Sequence, residues 1–518
     1  MLDIAFTPDR GSDVAIARQL AQHLAGLIDA GRLTAGTRLP PAREVASALR
    51  LGRNTVNAAY AQLAARGLTT GHVGRGTFVA SRTTPPRPTV VPLPPREFGW
   101  AGLFARAGRS ATVSSLLRRV AITDGLPFDF GGGRVDPDAL PVADLRWAFA
   151  RPFQTKATLR AMAAHRDPRG WPPLRREIAR RLTERGIACD AADVAIVSGL
   201  QHAIDLTART VVDPGDAVVM EQPGYFGAAL AFAGCGADVL GVDVDQEGLD
   251  TDRLARLLRV RRVKLVYVTP AAQSPTGVVL SDARRAALMA LADEYQVPIF
   301  EDDYDSELRW DTPARPALKA GDRAGQIVYA GTFSKVLFPG LRVGWVVAAR
   351  PLLERLVTIR ALADFGTGVV EQAALATLLA TRGLERHVRR MRRLYAERLA
   401  ALQAALAREM PDGVRWLAPQ GGHLVWVTLP AGLDPERLQH AAHACGVVYA
   451  RGELFFTDGR GGEHLGLAFT SLGSDAIADG IARLAGVIRE QLAARTRRTA
   501  HTRQPAPRRR TRRSHAAH

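Results

Sequence analysis

Strand-forming and helix-forming segments alternate along residues 190–350 of this 518-residue chain. Short runs rich in β-branched residues, such as Val194–Val197, each lead into a helical segment. Strands and helices that alternate in this way pack as a mostly parallel sheet with helices on both faces. This pattern therefore limits the large part of the chain to an α/β architecture.

One lysine follows such a strand, in the sequence Gly331-Thr332-Phe333-Ser334-Lys335. Arg342 lies seven residues further on, and an earlier strand leads to Asp302 and Tyr304. A lysine that forms a Schiff base with pyridoxal 5'-phosphate (PLP) needs an acid at the cofactor's ring nitrogen and donors for its phosphate. Lysine, acid, tyrosine and arginine in this context predict a PLP site, with Lys335 as its catalytic residue.

A different pattern occupies residues 10–80. Three helical segments, at about 13–30, 42–50 and 53–66, precede a short hairpin that has Gly74 and Arg75 at its tip. The second helix of a helix-turn-helix presents polar residues near its N-terminus to base edges in the major groove. The sequence therefore predicts a winged DNA-binding domain, with these candidate contacts: Arg43, Arg53, Asn54, Thr55, Asn57 and Arg75.

Charge and composition divide the rest of the chain. The net charge is +18, which favours polyanions, and residues 491–518 hold nine arginines and no acid. That tail is polar without a periodic apolar face, so we expect it to be disordered. Residues 81–126 start as a proline-rich linker, before a large domain at 127–490. The linker ends in apolar residues that favour an anchor onto the large domain: Phe98, Trp100, Leu103 and Phe104.

Several classes of protein are disfavoured. No uninterrupted run of about 18 apolar residues is present, so no membrane span is expected. The N-terminus lacks the basic and apolar regions of a secretory signal. Cys189, Cys235 and Cys445 are widely spaced, which predicts buried, unpaired thiols in a reducing cytosol and no metal site. The run Gly131-Gly132-Gly133 lacks the Lys-Ser/Thr of a phosphate loop and predicts a turn.

Both halves resemble known families. Residues from about 10 to 80 are similar to the GntR-type winged helix, and residues from roughly 128 to 490 resemble the class I/II aminotransferases of fold type I. Their fusion in this order resembles the MocR subfamily of bacterial transcription regulators. The resemblance implies a multidomain protein: a winged helix-turn-helix joined to a PLP-dependent transferase fold, which has a mostly parallel central sheet and a smaller C-terminal α+β lobe.

The resemblance also implies roles in the cofactor site. Lys335 forms the Schiff base, Asp302 keeps the ring nitrogen protonated, and Tyr304 donates to the phenolic oxygen of the cofactor. Tyr225 stacks on the ring and Arg342 pairs with the phosphate. The phosphate also meets the turn that follows the first strand of the sheet, formed by Ser198, Gly199, Leu200 and Gln201.

Two departures from the aminotransferase pattern concern the cofactor. Many aminotransferases have an asparagine before the proline where this chain has Ser274, and that asparagine binds the phenolic oxygen. Gln273 and Ser274 are both candidates to replace it. His165 occupies the position of a tyrosine that the partner subunit offers to the phosphate in related dimers.

A third departure concerns the substrate. Gly466 stands where related chains carry an arginine that binds a substrate carboxylate, with Arg451 and Arg460 as candidate substitutes. This loss argues against a working aminotransferase with an accessory DNA-binding domain. The intact set around Lys335 argues against a DNA-binding protein whose large domain is only a dimerisation scaffold. The leading hypothesis is a PLP-dependent transcription regulator with at most slow half-transamination.

The hypothesis sets the expected partners. They are a double-stranded DNA operator, PLP or a small amino compound as effector, and a second copy of the chain in a homodimer, with no membrane. The expected location is the bacterial cytoplasm, with nucleoid association when DNA is bound.

Overall fold

The computed structural model describes residues 5–72, 75–81, 100, 103–105, 125–309 and 315–502. The chain divides into two compact units, Met1–Gly99 and Trp100–His518. Most of the predicted linker at 81–126, including Phe98, lies outside the described residues. Trp100, Leu103 and Phe104 are exposed.

The N-terminal unit is a three-helix domain with a two-stranded hairpin. Its elements are α1 (Ile16–Asp29), α2 (Ala42–Ala48), α3 (Arg53–Ala65), β1 (Thr69–His72) and β2 (Gly76–Val79). The strands are antiparallel, with Thr69 opposite Val79. Leu20 and Leu24 of α1 are fully buried with Val56 and Leu63 of α3, because apolar residues three, four or seven positions apart share one helix face. This unit therefore has a hydrophobic core of its own.

The C-terminal unit contains two sheets. Its strands are, in chain order, β3 (Phe128–Phe130), β4 (Val194–Val197), β5 (Ala217–Gln222), β6 (Asp238–Asp245), β7 (Gly248–Leu249), β8 (Val263–Val268), β9 (Ile299–Asp303), β10 (Ile327–Thr332), β11 (Gly344–Val347), β12 (Arg415–Trp416), β13 (Leu424–Thr428), β14 (Val447–Arg451) and β15 (His464–Ala468). The large sheet has the order β4-β11-β10-β9-β8-β5-β6-β7, and the small sheet has the order β12-β13-β15-β14-β3.

The large sheet is mostly parallel, as the alternating sequence predicts. β10, β9, β8, β5 and β6 run in parallel, whereas β11 pairs antiparallel with both β10 and β4. The small C-terminal lobe is mixed, because β3 returns from the start of the unit to pair in parallel with β14. The predicted fold class is therefore confirmed. Strand β3, near the start of the unit, was not predicted from the sequence.

The helices of the C-terminal unit pack on both faces of the large sheet and against the small sheet. They are α4 (Val142–Ala150), α5 (Lys156–Ala163), α6 (Pro172–Glu184), α7 (Leu200–Val211), α8 (Phe226–Gly234), α9 (Thr251–Val260), α10 (Asp282–Tyr295), α11 (Arg350–Asp364), α12 (Val369–Ala380), α13 (Gly383–Glu409), α14 (Pro435–Ala444) and α15 (Ser474–Thr502). Val218 and Met220 of β5 belong to one buried cluster and Val219 to another, because successive strand residues face opposite sides.

The C-terminal helix corrects one sequence expectation. α15 continues to Thr502, so the first part of the tail at 491–518 is helical rather than disordered. Ile477, Ile481 and Ile488 are fully buried on this helix. A docked helix can continue beyond its buried stripe through residues of good helix propensity, such as the alanines and arginines that follow. Residues 503–518 lie outside the described residues.

The remaining composition-based expectations concern cysteines, membranes and metals. The three cysteines are unpaired but half-buried rather than buried. No helix in the described ranges has the length and apolar character to cross a membrane. Within those same ranges, no group of three or more His, Cys, Asp or Glu side chains is placed to hold a metal ion.

Candidate functional site

A cavity of about 260 Å³ lies at the carboxyl ends of the parallel strands. Parallel strands end at one edge of their sheet, so residues far apart in sequence meet there. Eight of the ten predicted cofactor residues line this cavity: Leu200, Gln201, Tyr225, Ser274, Asp302, Tyr304, Lys335 and Arg342. The other two, Ser198 and Gly199, are not among its lining residues and instead contact the guanidinium of Arg342.

Lys335 lies just after β10, with its amine directed at the backbone of the glycine run. Its Nζ donates to the carbonyl of Gly133 at 3.0 Å. Burial lowers the pKa of Lys335, against the opposing effect of the Asp305 and Asp302 carboxylates. A lowered pKa increases the fraction of neutral amine, which is the nucleophilic form. The glycine run therefore lies at the site, since a Cβ on Gly133 would lie 3.2 Å from this Nζ.

Asp302 is buried in β9 at the floor of the cavity. The hydroxyl of Tyr267 donates to its Oδ2. Its Oδ1 is buried and has no hydrogen-bond partner among the described residues. Burial raises the pKa of Asp302 to about 8. A protonated ring nitrogen is the kind of group that would satisfy this oxygen and favour its charged form, so the site fits PLP.

Tyr304 and Ser274 form the neighbouring wall. Burial raises the pKa of Tyr304 above its ordinary range, and a hydrogen bond with Ser274 opposes the shift. The amide of Gln273 is occupied by protein groups, since its Nε2 donates to the carbonyls of Pro223 at 2.7 Å and Ser274 at 2.9 Å. Both candidate replacements for the asparagine line the cavity, but the amide of Gln273 is held by protein groups, whereas the side chain of Ser274 is hydrogen-bonded to Tyr304.

The opposite end of the cavity is suited to an anion. α7 begins at Leu200, and the N–H groups of His202 and Ala203 already donate to the carbonyl of Gly199. The first N–H groups of a helix have no partner within it, so those of Leu200 and Gln201 are available at this end. Arg342 Nη2 donates to the Ser198 carbonyl at 2.7 Å. No carboxylate among the described residues forms an ion pair with Arg342.

The backbone conformation of Gly199 and the side-chain hydrogen bond of Gln201 shape this end of the cavity. Gly199 has a φ of +83°, and a Cβ there would lie 3.0 Å from Nη2 of Arg342, so a glycine allows the guanidinium to approach. The side chain of Gln201 holds Tyr225, because the Tyr225 hydroxyl donates to Gln201 Oε1 at 3.0 Å. The predicted contact of Gln201 with a phosphate can therefore come only from its backbone.

Sequence reasoning missed a buried pair beside the lysine. Asp305 Oδ1 lies 3.2 Å from His423 Nε2, and both side chains are almost fully buried. Asp303, in contrast, forms an ion pair with Arg185 at 2.8 Å away from the cavity. Asp303 and Asp305 belong to one acidic run at the end of β9, and nothing in its spacing distinguishes one from the other. His423 precedes β13 in the small lobe, so only the fold brings it here.

A second cavity of about 410 Å³ adjoins the first at Lys335. Arg451 lines it but is paired with Glu453 at 2.8 Å. Arg460 pairs with Asp458 at 3.1 Å and is not among the lining residues of either cavity. His165 packs edge-on against Trp171, with ring centroids 5.4 Å apart, and also lines neither cavity.

The N-terminal unit presents its predicted DNA contacts to solvent. Arg53 and Asn54 open α3 and are exposed together with Asn57, whereas Thr55 is half-buried. The buried Val56 fixes this orientation from the opposite face of the helix. Exposed arginines lie on α2 and at the wing, Arg43 and Arg75 respectively.

One further arginine of this unit was missed. Arg38 forms an isolated β-bridge with Phe78 of the wing, and a Cβ on Gly76 would lie 2.9 Å from its Nε. These contacts place the Arg38 side chain at the base of the wing. Because Arg38 is also exposed, its guanidinium is accessible to a phosphate. Its position in the turn before α2 offers no periodic signal from which to find it. Val73 and Gly74 of the wing lie outside the described residues.

The fold and the site define a class of protein in which a winged DNA-binding domain is joined to an aminotransferase-like domain with a lysine-centred cavity. Residues 16–79 match the family of bacterial regulatory proteins called the gntR family. Residues 138–461 match the family of class I and II aminotransferases. The chain belongs to the MocR-type GntR regulators, which confirms the family predicted from its motifs.

Relatives match one or both units. The chain is 33% identical to the probable rhizopine catabolism regulatory protein MocR of Rhizobium meliloti, over 85% of this chain and 87% of that protein. It is also 33% identical to aromatic-amino-acid aminotransferase 1 of Thermococcus litoralis, over 74% of this chain and 93% of that enzyme. The first match includes the DNA-binding unit.

A solved structure extends the likeness to the cofactor. LysN, an α-aminoadipate aminotransferase from Thermus thermophilus complexed with N-(5'-phosphopyridoxyl)-L-leucine, has a TM-score of 0.70 and 32% identity, covering 77% of this chain and 100% of that one. The cofactor of the C-terminal domain is pyridoxal 5'-phosphate, as the sequence predicts.

Proposed function

We propose that the C-terminal unit senses PLP or an amino compound and thereby changes how the N-terminal unit binds its operator. The observation that carries this proposal is a cavity centred on Lys335 that Asp302, Tyr304 and Arg342 also line. The resemblance to the aminotransferases adds that Gly466 takes the place of the carboxylate-binding arginine. Binding an amine needs only the lysine, the ring electronics and an accessible cavity. Complete transamination also needs the substrate held in its reactive orientation. A misplacement of about 1 Å can lower a reaction rate on the order of 100-fold.

Each residue of the cavity has a proposed role. Lys335 attaches the cofactor, and the unpartnered Oδ1 of Asp302 accepts from its ring nitrogen. When bound, PLP supplies an electrophilic carbon for amines and an electron sink. Tyr304 and Ser274 bind the phenolic oxygen, and Tyr225 covers the ring. The phosphate lies against Arg342 and the backbone N–H groups of Leu200 and Gln201.

The N-terminal unit has a matching set of proposed roles. Arg53, Asn54, Thr55 and Asn57 read base edges from the start of α3, because the N-terminal part of a recognition helix enters the major groove. Arg43 and Arg75 contact the sugar-phosphate backbone or the minor groove. A homodimer through the C-terminal unit supplies two such domains, so the operator contains two half-sites.

A parallel measurement of catalysis and DNA binding tests the proposal. Steady-state turnover is measured with a panel of amino and keto acids, and operator affinity is titrated with and without PLP and each amine. We expect operator affinity or DNA bending to change with PLP or a bound amine, and turnover to be absent or very slow. Turnover at ordinary enzyme rates, with operator binding indifferent to both compounds, would favour an aminotransferase with an accessory DNA-binding domain.

A further inference from the structure

The second cavity is the space into which a compound bound at Lys335 must extend. It shares Gly133, Tyr225, Ser274, Lys335 and Leu424 with the cofactor cavity. Any amine that reaches the lysine therefore places its remaining atoms against the second set of walls. The chemistry of those walls limits the class of amine, and the inference drawn from them rests on the proposed sensing function.

The guanidinium groups in this cavity already face carboxylates of the protein. Arg451 donates to Glu453 through two nitrogens, at 2.8 and 3.2 Å, and to Gln439 at 2.9 Å. Arg134 lies 3.4 Å from Asp129. A ligand carboxylate would have to displace these partners while losing its own hydration, and burying a charge without a compensating partner is unfavourable.

The wall beside Gly466 of β15 is apolar. A Cβ on Gly466 would lie 3.4 Å from Ala450 Cβ and 3.6 Å from a methyl of Leu424, both of which line the cavity. Leu454, Phe455 and Phe226 extend the same lining. A side chain at position 466 would therefore enter next to an aliphatic and aromatic surface, and glycine leaves that surface uncharged and open.

We propose that the effector is a primary amine with an aliphatic or aromatic body and no carboxylate on the carbon that bears its nitrogen. The amine reacts at the lysine side of the cavity, and the apolar body contacts Leu424, Ala450 and Phe455. The same apolar contacts are available to an α-amino acid of equal size, but its carboxylate meets no unpaired guanidinium among the lining residues described. The protein therefore distinguishes amines from amino acids by the absence of a group that aminotransferases use.

A matched pair of ligands tests this assignment in the full-length protein loaded with PLP. 2-Phenylethylamine and L-phenylalanine differ only by the carboxylate. Each is titrated while cofactor absorbance and calorimetric heat are recorded, and operator affinity is measured at saturation. We expect 2-phenylethylamine to bind at least about tenfold more tightly, the smallest ratio expected for an unpaired buried charge. Equal or tighter binding of L-phenylalanine, or no binding of either compound, would overturn the proposal.

Two variants make the test specific to the cavity. Gly466→Arg supplies a guanidinium and should shift the preference toward L-phenylalanine, whereas Gly466→Met, of similar length and uncharged, should not. Glu453→Gln, at a position outside the strands, removes the carboxylate that faces Arg451 and should raise the affinity for L-phenylalanine. It covers the case in which Gly466→Arg does not fold. An unchanged preference in a folded Gly466→Arg protein and in Glu453→Gln would contradict the proposal.

The readouts separate this inference from the function on which it rests. If 2-phenylethylamine binds preferentially but operator affinity does not change, the amine assignment stands and the sensing function fails. If L-phenylalanine binds preferentially and alters operator affinity, the sensing function stands and the amine assignment fails.

Discussion

Asp302 is held where its charge is unfavourable unless a cation lies beside it. Burial raises the pKa of its carboxyl to about 8, although the Tyr267 hydroxyl donates to one of its oxygens. Glu221 is also buried and acts on Asp302 electrostatically, and burial raises its own pKa to about 7. A buried carboxyl with a raised pKa at the floor of the cavity favours a positively charged ligand, which is what the ring of PLP becomes when its nitrogen is protonated.

The raised pKa of Asp302 makes the stability of the cofactor-free protein depend on pH. Its carboxyl binds a proton more tightly in the folded protein, at a pKa of about 8, than in the unfolded chain, where the pKa is about 4. The free energy of unfolding should therefore fall as pH rises between these values. Urea unfolding between pH 5 and 8 should show a steeper fall for the wild type than for Asp302→Asn. Equal slopes would mean that Asp302 is already ionised in the folded protein.

Lys335→Ala should abolish covalent attachment of the cofactor without unfolding the protein, because this lysine contacts the cavity rather than the apolar core. The wild type should be yellow, absorb near the violet edge of the visible range, and retain cofactor on Lys335 after borohydride reduction. Mass spectrometry of the reduced protein locates the attachment. Lys264→Ala, at a partly exposed lysine that pairs with Asp216 at 3.4 Å, is the control and should behave like the wild type. A colourless wild type that shows no spectral change with PLP would contradict the site.

At the scale of elements, α3 and the wing are specified by local patterns. The predicted helix at about 53–66 is observed at Arg53–Ala65, and Val56, Tyr60 and Leu63 form its buried stripe. The opposite face follows from that stripe, since 3.6 residues per turn fix which residues point outward. Arg38 was not predicted from the sequence, because its position beside Gly76 depends on how the turn before α2 packs against the wing.

Arg53→Ala tests the recognition helix. A lost base contact should cost about 1–3 kcal/mol of operator affinity and relax specificity, and a lost phosphate contact should lower the salt slope by about one unit. Fluorescence anisotropy at several salt concentrations, with operator and scrambled DNA, distinguishes the two effects. Arg66→Ala, at the exposed C-terminal end of the same helix, is the control. Unchanged affinity and specificity of Arg53→Ala would remove α3 from the DNA interface.

At the scale of the whole molecule, the C-terminal unit exposes large apolar side chains. Phe365 is 85% exposed at the end of α11, Leu362 is 83% exposed, and Trp147 of α4 is 45% exposed. α4 packs against α12, which begins four residues after Phe365. Exposed apolar groups on adjoining elements are typical of a surface that a partner covers, and they support the proposed homodimer.

Phe365→Asp should weaken the homodimer, because it places a charge on this surface without altering the interior of the protomer. Sedimentation of the PLP-loaded protein should show a dimer for the wild type and a larger monomer fraction for the variant. Val260→Asp, which changes a residue that is 77% exposed at the end of α9, is the matched control and should remain dimeric. A PLP-loaded wild type that sediments as a monomer would contradict the homodimer.

The sequence by itself determined the properties that depend on neighbours along the chain. Helix faces and strand positions follow from periodicity, and the order of Lys335, Asp302, Tyr304 and Arg342 is read directly from the sequence. The departure at Gly466 is what the resemblance to the aminotransferases implies. The tertiary structure decided what comes from distant segments. It places the Gly133 carbonyl 3.0 Å from Lys335 across 202 positions, and it pairs His423 with Asp305. It also brings Gln439 of α14 within 2.9 Å of the guanidinium of Arg451, which occupies part of a candidate carboxylate clamp. Such contacts depend on how separate elements pack, and no local pattern of side chains encodes that arrangement.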